Sequence, residues 1–173
     1  NRSLGFIDKT MLLCELKSVP NLKRHVQSAN DAISNIDVSL SEKAKEKGIN
    51  LQFKGSTEDI SFEADWVMLE KAVRYVIDNA IKFSKDDGTV YIDWNKSDDE
   101  FSIKIRDEGE GIPDEWIGKI FDEFAVKDIV HHQKGQGLSL AISKHILEIH
   151  GGSISVESEQ GQGSTFTLNI PIH

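Results

Sequence analysis

The sequence predicts a two-layer α/β sandwich: a mixed, mostly antiparallel sheet packed on helices, behind an N-terminal helical tail. Three observations predict it. Long helical periodicities come before most of the strand-like runs, and those runs are joined by short polar or glycine turns of the kind that pair strands antiparallel. With 173 residues, 38% of them hydrophobic, the chain can bury one sizeable core.

The elements follow in order. Leu4, Ile7, Met11 and Cys14 recur at helical spacing, a short heptad-like seam on a helix that ends before Pro20. Such a seam fits a partner helix or the helix's own domain. Over 22–47 a second helix is expected, with Val26, Ala29, Ile33, Ile36, Leu40 and Ala44 on one face and Gly48 as its stop. Residues 49–54 read as a strand and 60–63 as a shorter one. Asp65 is placed to cap a helix running to about Phe83, with Trp66, Leu69, Val73, Val76 and Ala80 inward.

Asp86, Asp87 and Gly88 form a turn, and 89–94 and 101–106 read as paired antiparallel strands. A short helix is expected over 114–121. Residues 122–137 carry little periodicity and read as a loop of the kind that carries function. A helix over 138–150 stops at Gly151 and Gly152. Two last strands, 153–157 and 165–170, flank the turn Gln160-Gly-Gln-Gly163.

Composition excludes several functions. The net charge of -9 argues against a general nucleic-acid or anionic-membrane surface, while leaving room for a small polyanion held by local lysines, helix ends and a metal ion. One cysteine, Cys14, leaves no internal disulfide and no cysteine-based zinc site. No apolar run approaches the ~20 residues that span a bilayer. The chain opens without methionine inside a helical pattern, so a longer parent protein is expected.

Four motifs carry candidate chemistry. Asp107-Glu-Gly-Glu-Gly-Ile-Pro113 sets a carboxylate beside two glycines at a strand end. It reads as a surface turn, or as a bend whose carboxylate accepts from an amino group such as that of adenine. Asn79 and Lys82, three apart on one helix, read as a solvated face or as an amide ligand for Mg²⁺ beside an ammonium for phosphate oxygens. Gly135 and Gly137 come before a helix N-terminus, where backbone N–H groups favour an anion. Gly161-Gln-Gly-Ser-Thr165 is a hairpin turn, or a means of bringing the Thr165 hydroxyl to a base.

Their order is N-A-x-K, D-x-G-x-G-I-P, I-F-D-E-F, G-x-G-L-x-L, G-x-G-S-T-F. It resembles the ATP-binding domain of sensor histidine kinases, within the GHKL superfamily of Bergerat-fold ATPases, over about residues 22–173. N-A-I-K-F-S, I-F-D-E-F and the run from Gly137 to Ser158 favour the kinase branch. The resemblance implies an ATP-binding catalytic domain over 21–173. It also implies that 1–20 is the end of a dimerisation and histidine-phosphotransfer helix.

By the same resemblance Asn79 ligates Mg²⁺ and Lys82 meets phosphates, the two being the catalytic pair. Asp107 accepts from adenine, with Gly109, Gly111 and Ile112 in the same bend. Phe121 and Phe124 anchor a lid, and Lys127 and Lys134 are lid cations. Gly135, Gly137 and Leu138 shape the phosphate end, and Thr165 touches adenine through water. The implied partners are ATP, the upstream dimerisation domain of a homodimer, and a response regulator receiver domain. The implied place is the cytoplasm, whether or not the intact protein is membrane-anchored.

Two departures stand out. The family usually has a second Asn one turn before the metal-binding one, and here Tyr75 stands there. Ser139 stands where the second glycine box usually has another glycine. These leave open a degenerate nucleotide-sensing or interaction module. Tyr75 also fills the place of the glutamate base of gyrase- and chaperone-type ATPases, so slow hydrolysis is expected. None of His25, His131, His132, His145, His150 and His173 precedes an acidic residue, as the family's phospho-acceptor does. The acceptor is expected upstream.

Overall fold

The computed structural model describes residues 2–18, 21–123 and 137–172. In chain order its elements are α1 (Arg2–Lys17), β1 (His25–Ser28), α2 (Ala29–Glu46), β2 (Asn50–Gly55), β3 (Ser61–Ala64) and α3 (Trp66–Phe83). Then come β4 (Thr89–Lys96), β5 (Glu100–Asp107), α4 (Asp114–Ile117), α5 (Ser139–Ile149), β6 (Ser153–Glu159) and β7 (Gly163–Pro171).

The main sheet has the order β2-β4-β5-β7-β6. Among the described strands only β2 and β4 run parallel, because β3 and α3 intervene and return the chain to the same edge. The other pairs are antiparallel, as the short connections predict. Alternation gives the sheet two unlike faces. Phe101, Ile103 and Ile105 of β5 and Phe166, Leu168 and Ile170 of β7 are buried, whereas Lys104 and Arg106 between them are exposed. The helices cover the apolar face, and α3 contributes Leu69, Val73, Val76, Ile77 and Ala80 to the shared core.

Two expected helices differ in their bounds. Residues 25–28 are not helical. They form β1, which pairs antiparallel with β3, His25 opposite Ala64. The second helix starts at Ala29, capped by Ser28, whose hydroxyl accepts from the Asp31 N–H. Val26, expected on the buried face, is 68% exposed. The 114–121 helix is shorter, ending at Ile117 in a turn. By contrast, Asp65 caps α3 as expected, accepting from Met68 N–H at 3.2 Å. Gly48 and Gly151 take the positive φ values, 70° and 76°, that helix stops favour.

The first helix packs on the domain with a face other than the predicted seam. Leu12, Leu13 and Leu16 are buried against the core, while Ile7, Met11 and Cys14 are exposed. Lys9 reaches from α1 to the Ser139 hydroxyl at 2.7 Å and lies 5.1 Å from the Tyr75 ring centre. Lys17 pairs with Glu123.

Candidate functional site

A cleft of about 640 Å³ opens between the C-terminal half of α3, the glycine bend after β5 and the start of α5. Its walls include Asn79, Lys82, Asp107, Gly111, Ile112 and Ser164. Five of the predicted site residues, Asn79, Lys82, Asp107, Gly111 and Ile112, from two distant motifs therefore meet in one cavity. The volume falls in the range of small-molecule and cofactor sites.

Asp107 ends β5 on the sheet's inner face and is only 4% exposed. Burial pushes its carboxyl above the ordinary value, and backbone hydrogen bonds from Gly109 and Ser164 pull it part of the way back. The Gly109 N–H donates to Oδ1 at 2.9 Å. No cation acts on this carboxylate among the described residues. A buried carboxylate with spare acceptor capacity calls for a donor from elsewhere.

Contact requires both glycines, and a left-handed backbone adds to the requirement at Gly111. A Cβ on Gly109 would strike the Phe83 carbonyl and stand 2.8 Å from Asp107 Oδ1. One on Gly111, at φ 71°, would run into the Glu159 backbone. The bend thus seats directly on the end of α3 and on the β6–β7 turn, and Ile112 N–H is held by the Ser158 hydroxyl at 2.8 Å.

Asn79 and Lys82 stand on the α3 wall of the cleft. The Asn79 amide has no partner among the described residues, as a ligand-binding amide would require. Lys82 lies 5.0 Å from the Phe83 ring centre. Burial lowers its affinity for a proton, with Asp78 acting the other way and Lys9 and Lys43 adding to the effect. An anion in the cleft would restore it. Among the described residues no group of three His, Cys, Asp or Glu side chains could hold a metal alone. An amide oxygen completed by ligand oxygens is the arrangement that suits Mg²⁺.

Other predicted residues fall elsewhere. Thr165 pairs with Arg106 and Glu157 and so stands on the opposite face of the sheet from Asp107. Ser164, opposite Asp107, lines the cleft in its place and shares a 2.9 Å contact with the Ser158 hydroxyl. Gly137 takes φ 61° just before α5, and Leu138 turns into the core, fully buried. Leu140 reaches the cleft instead. Phe121 packs edge-on against Phe166 at 6.2 Å. Phe124, Lys127, Lys134 and Gly135 lie outside the described residues.

Sequence reasoning missed Ser164, Leu140, Ser84 and Lys47. Ser84 carries a buried hydroxyl without a partner among the described residues on the cleft wall. Period-two register from Asp107 through the β5–β7 pairing is the signal that would have found Ser164.

Residues 64–173 match the family described as histidine kinase-, DNA gyrase B- and HSP90-like ATPase. The chain is 30% identical over 130 residues to the alginate biosynthesis sensor protein KinB of Pseudomonas aeruginosa, covering 75% of this chain and 22% of KinB. It is 30% identical over 154 residues to the sensor protein SrrB of Staphylococcus aureus, covering 87% of this chain and 26% of SrrB. The chain thus spans about a quarter of the length of these curated relatives. Among solved structures, the catalytic domain of histidine kinase ThkA superposes with a TM-score of 0.77 at 27% identity, over 87% of this chain and 99% of that one.

Proposed function

The chain belongs to the histidine kinase-, DNA gyrase B- and HSP90-like ATPase family, and we propose that it is the ATP-binding catalytic part of a sensor histidine kinase. The observation that carries this reading is Asp107: a buried carboxylate with no cation acting on it among the described residues, at the glycine-built end of a cleft whose other wall holds Asn79 and Lys82. Asp107 accepts from the adenine amino group. Gly109 and Gly111 keep the backbone low against the base, and Ser164 takes the neighbouring hydrogen-bonding position. Lys82 meets phosphate oxygens, and the Asn79 amide oxygen holds Mg²⁺. When bound, that ion neutralises phosphate charge. The protein's share of the work is positioning and electrostatic stabilisation.

The intact protein transfers the γ-phosphoryl group to a histidine on an upstream dimerisation helix, of which residues 1–20 are the end. A response regulator then receives it from that histidine, and this part of the homodimer is cytoplasmic. Gly137 shapes the phosphate end. This chain alone binds Mg·ATP without phosphorylating itself, since none of its histidines precedes an acidic residue. Calorimetry with a non-hydrolysable ATP analogue and Mg²⁺, followed by labelled-phosphate transfer to a supplied acceptor helix, tests both steps. Failure to bind overturns the reading.

A second reading rests on Tyr75 and Ser139. Both depart from the family pattern, and both are engaged by Lys9. Nucleotide binding without transfer to any supplied acceptor would make the chain a nucleotide-sensing module.

A further inference from the structure

The last turn of α3 is closed by a side chain from the end of another helix. Lys47 terminates α2 with its own N–H, which donates to the Ala44 carbonyl at 3.1 Å. Its ammonium crosses to α3 and donates to the carbonyls of Ile81, Lys82 and Ser84 at 3.0, 2.6 and 2.8 Å. An ammonium has three donors and no acceptor, so these bonds use it fully. Carbonyls at a helix C-terminus are orphan acceptors at the negative end of the macrodipole, where a cation is favoured.

That same turn is a wall of the cleft. Lys47, Lys82 and Ser84 all line it. The carbonyl of Phe83, between the three that Lys47 binds, is the atom on which Gly109 is seated.

We propose that Lys47 is a positioning residue of the nucleotide site: a tethered cation, caged by three carbonyls, that fixes the end of α3 and offsets the negative helix terminus beside a polyanionic ligand. The inference rests on reading the cleft as a nucleotide site. It deepens that reading by assigning a cation that acts through α3 rather than on the ligand.

The cage makes a test possible that an ordinary packing lysine would fail. Lys47→Met leaves three carbonyls without their cation, and a free ammonium ion is small enough to replace the lost group. Binding of a non-hydrolysable ATP analogue with Mg²⁺ is measured for wild type and variant in choline chloride and in ammonium chloride at equal ionic strength. The expected result is a loss of about tenfold or more for the variant in choline, recovered largely in ammonium, with wild type equal in both. Equal affinity of variant and wild type in choline overturns the inference, and so does a loss that ammonium leaves in place. Wild type that binds in neither salt overturns the nucleotide reading and this inference with it, which separates the two failures. Thermal melts accompany each titration. A variant unfolded in choline that refolds and binds in ammonium supports the cage, and one unfolded in both is replaced by Lys47→Gln under the same criteria.

Discussion

Ser164 stands directly across the β5–β7 ladder from Asp107, so the two side chains share the inner face of the sheet at the cleft. The carboxylate is placed there at a cost, because burial raises its pKa and no cation offsets it among the described residues. The site is therefore built against stability and in favour of a ligand that donates.

Asp107→Ala should weaken adenine-nucleotide binding by about 1.5–3 kcal/mol, the range for a charge-assisted hydrogen bond, or roughly ten- to hundredfold. An unchanged dissociation constant in calorimetry would remove Asp107 as the adenine reader.

Asp107→Asn should melt at a higher temperature than wild type at neutral pH while binding less nucleotide. The native carboxyl titrates above its unfolded value, so the native state holds more protons across that window. Stability falls as pH rises through the window, and the penalty grows with it. An amide never ionises and escapes it. Melts of ligand-free protein check this, and a variant that melts lower contradicts it.

Ser164→Ala and Thr165→Val should separate cleanly. Losing the Ser164 hydroxyl should cost binding about 1 kcal/mol, or roughly fivefold. Thr165→Val, on the opposite face, should leave affinity unchanged. The reverse pattern would place the base-reading hydroxyl on Thr165 after all.

Lys9 ties α1 to both family departures. A double-mutant cycle of Lys9→Met with Ser139→Ala, read by denaturant melts, should give a coupling of about 0.5–1.5 kcal/mol. Zero coupling would mean that the 2.7 Å contact is not formed in solution.

His150 is held as one neutral tautomer. Its Nδ1–H donates to the Ile146 carbonyl at 2.7 Å and its Nε2 accepts from the Asp65 N–H at 3.2 Å. Burial lowers its pKa, with the Ile146 bond opposing. The unfolded chain then binds the proton more readily, so stability is lost as pH falls below the free-histidine value of 6.5. His150→Leu should flatten that decline while costing about 1–3 kcal/mol near neutrality for the orphaned Asp65 N–H. A pH profile identical to wild type would assign the decline elsewhere.

How far the fold could be read from sequence depended on whether the cause lay nearby. The third helix was legible because Asp65 caps it three residues from Met68 and its apolar face repeats every turn. The glycine bend was legible because Asp107 and Gly109 bond within three residues. Strand β1 was not, because Val26 and Ala29 continue a helical spacing and only pairing with distant β3 draws the segment out. The choice between Ser164 and Thr165 turns on a register set by β5, which the string Gly-Ser-Thr-Phe does not contain. Lys47 was invisible for a similar reason: its partners are carbonyls of residues 81, 82 and 84, and backbone atoms leave no trace in a sequence.

The single thiol of the chain, Cys14, is exposed on α1, as is Met11. It therefore offers a labelling handle that needs no engineering. A maleimide fluorophore would react at one position of this chain only, and its emission would report, in real time, whether that flank of the helix is wet or covered.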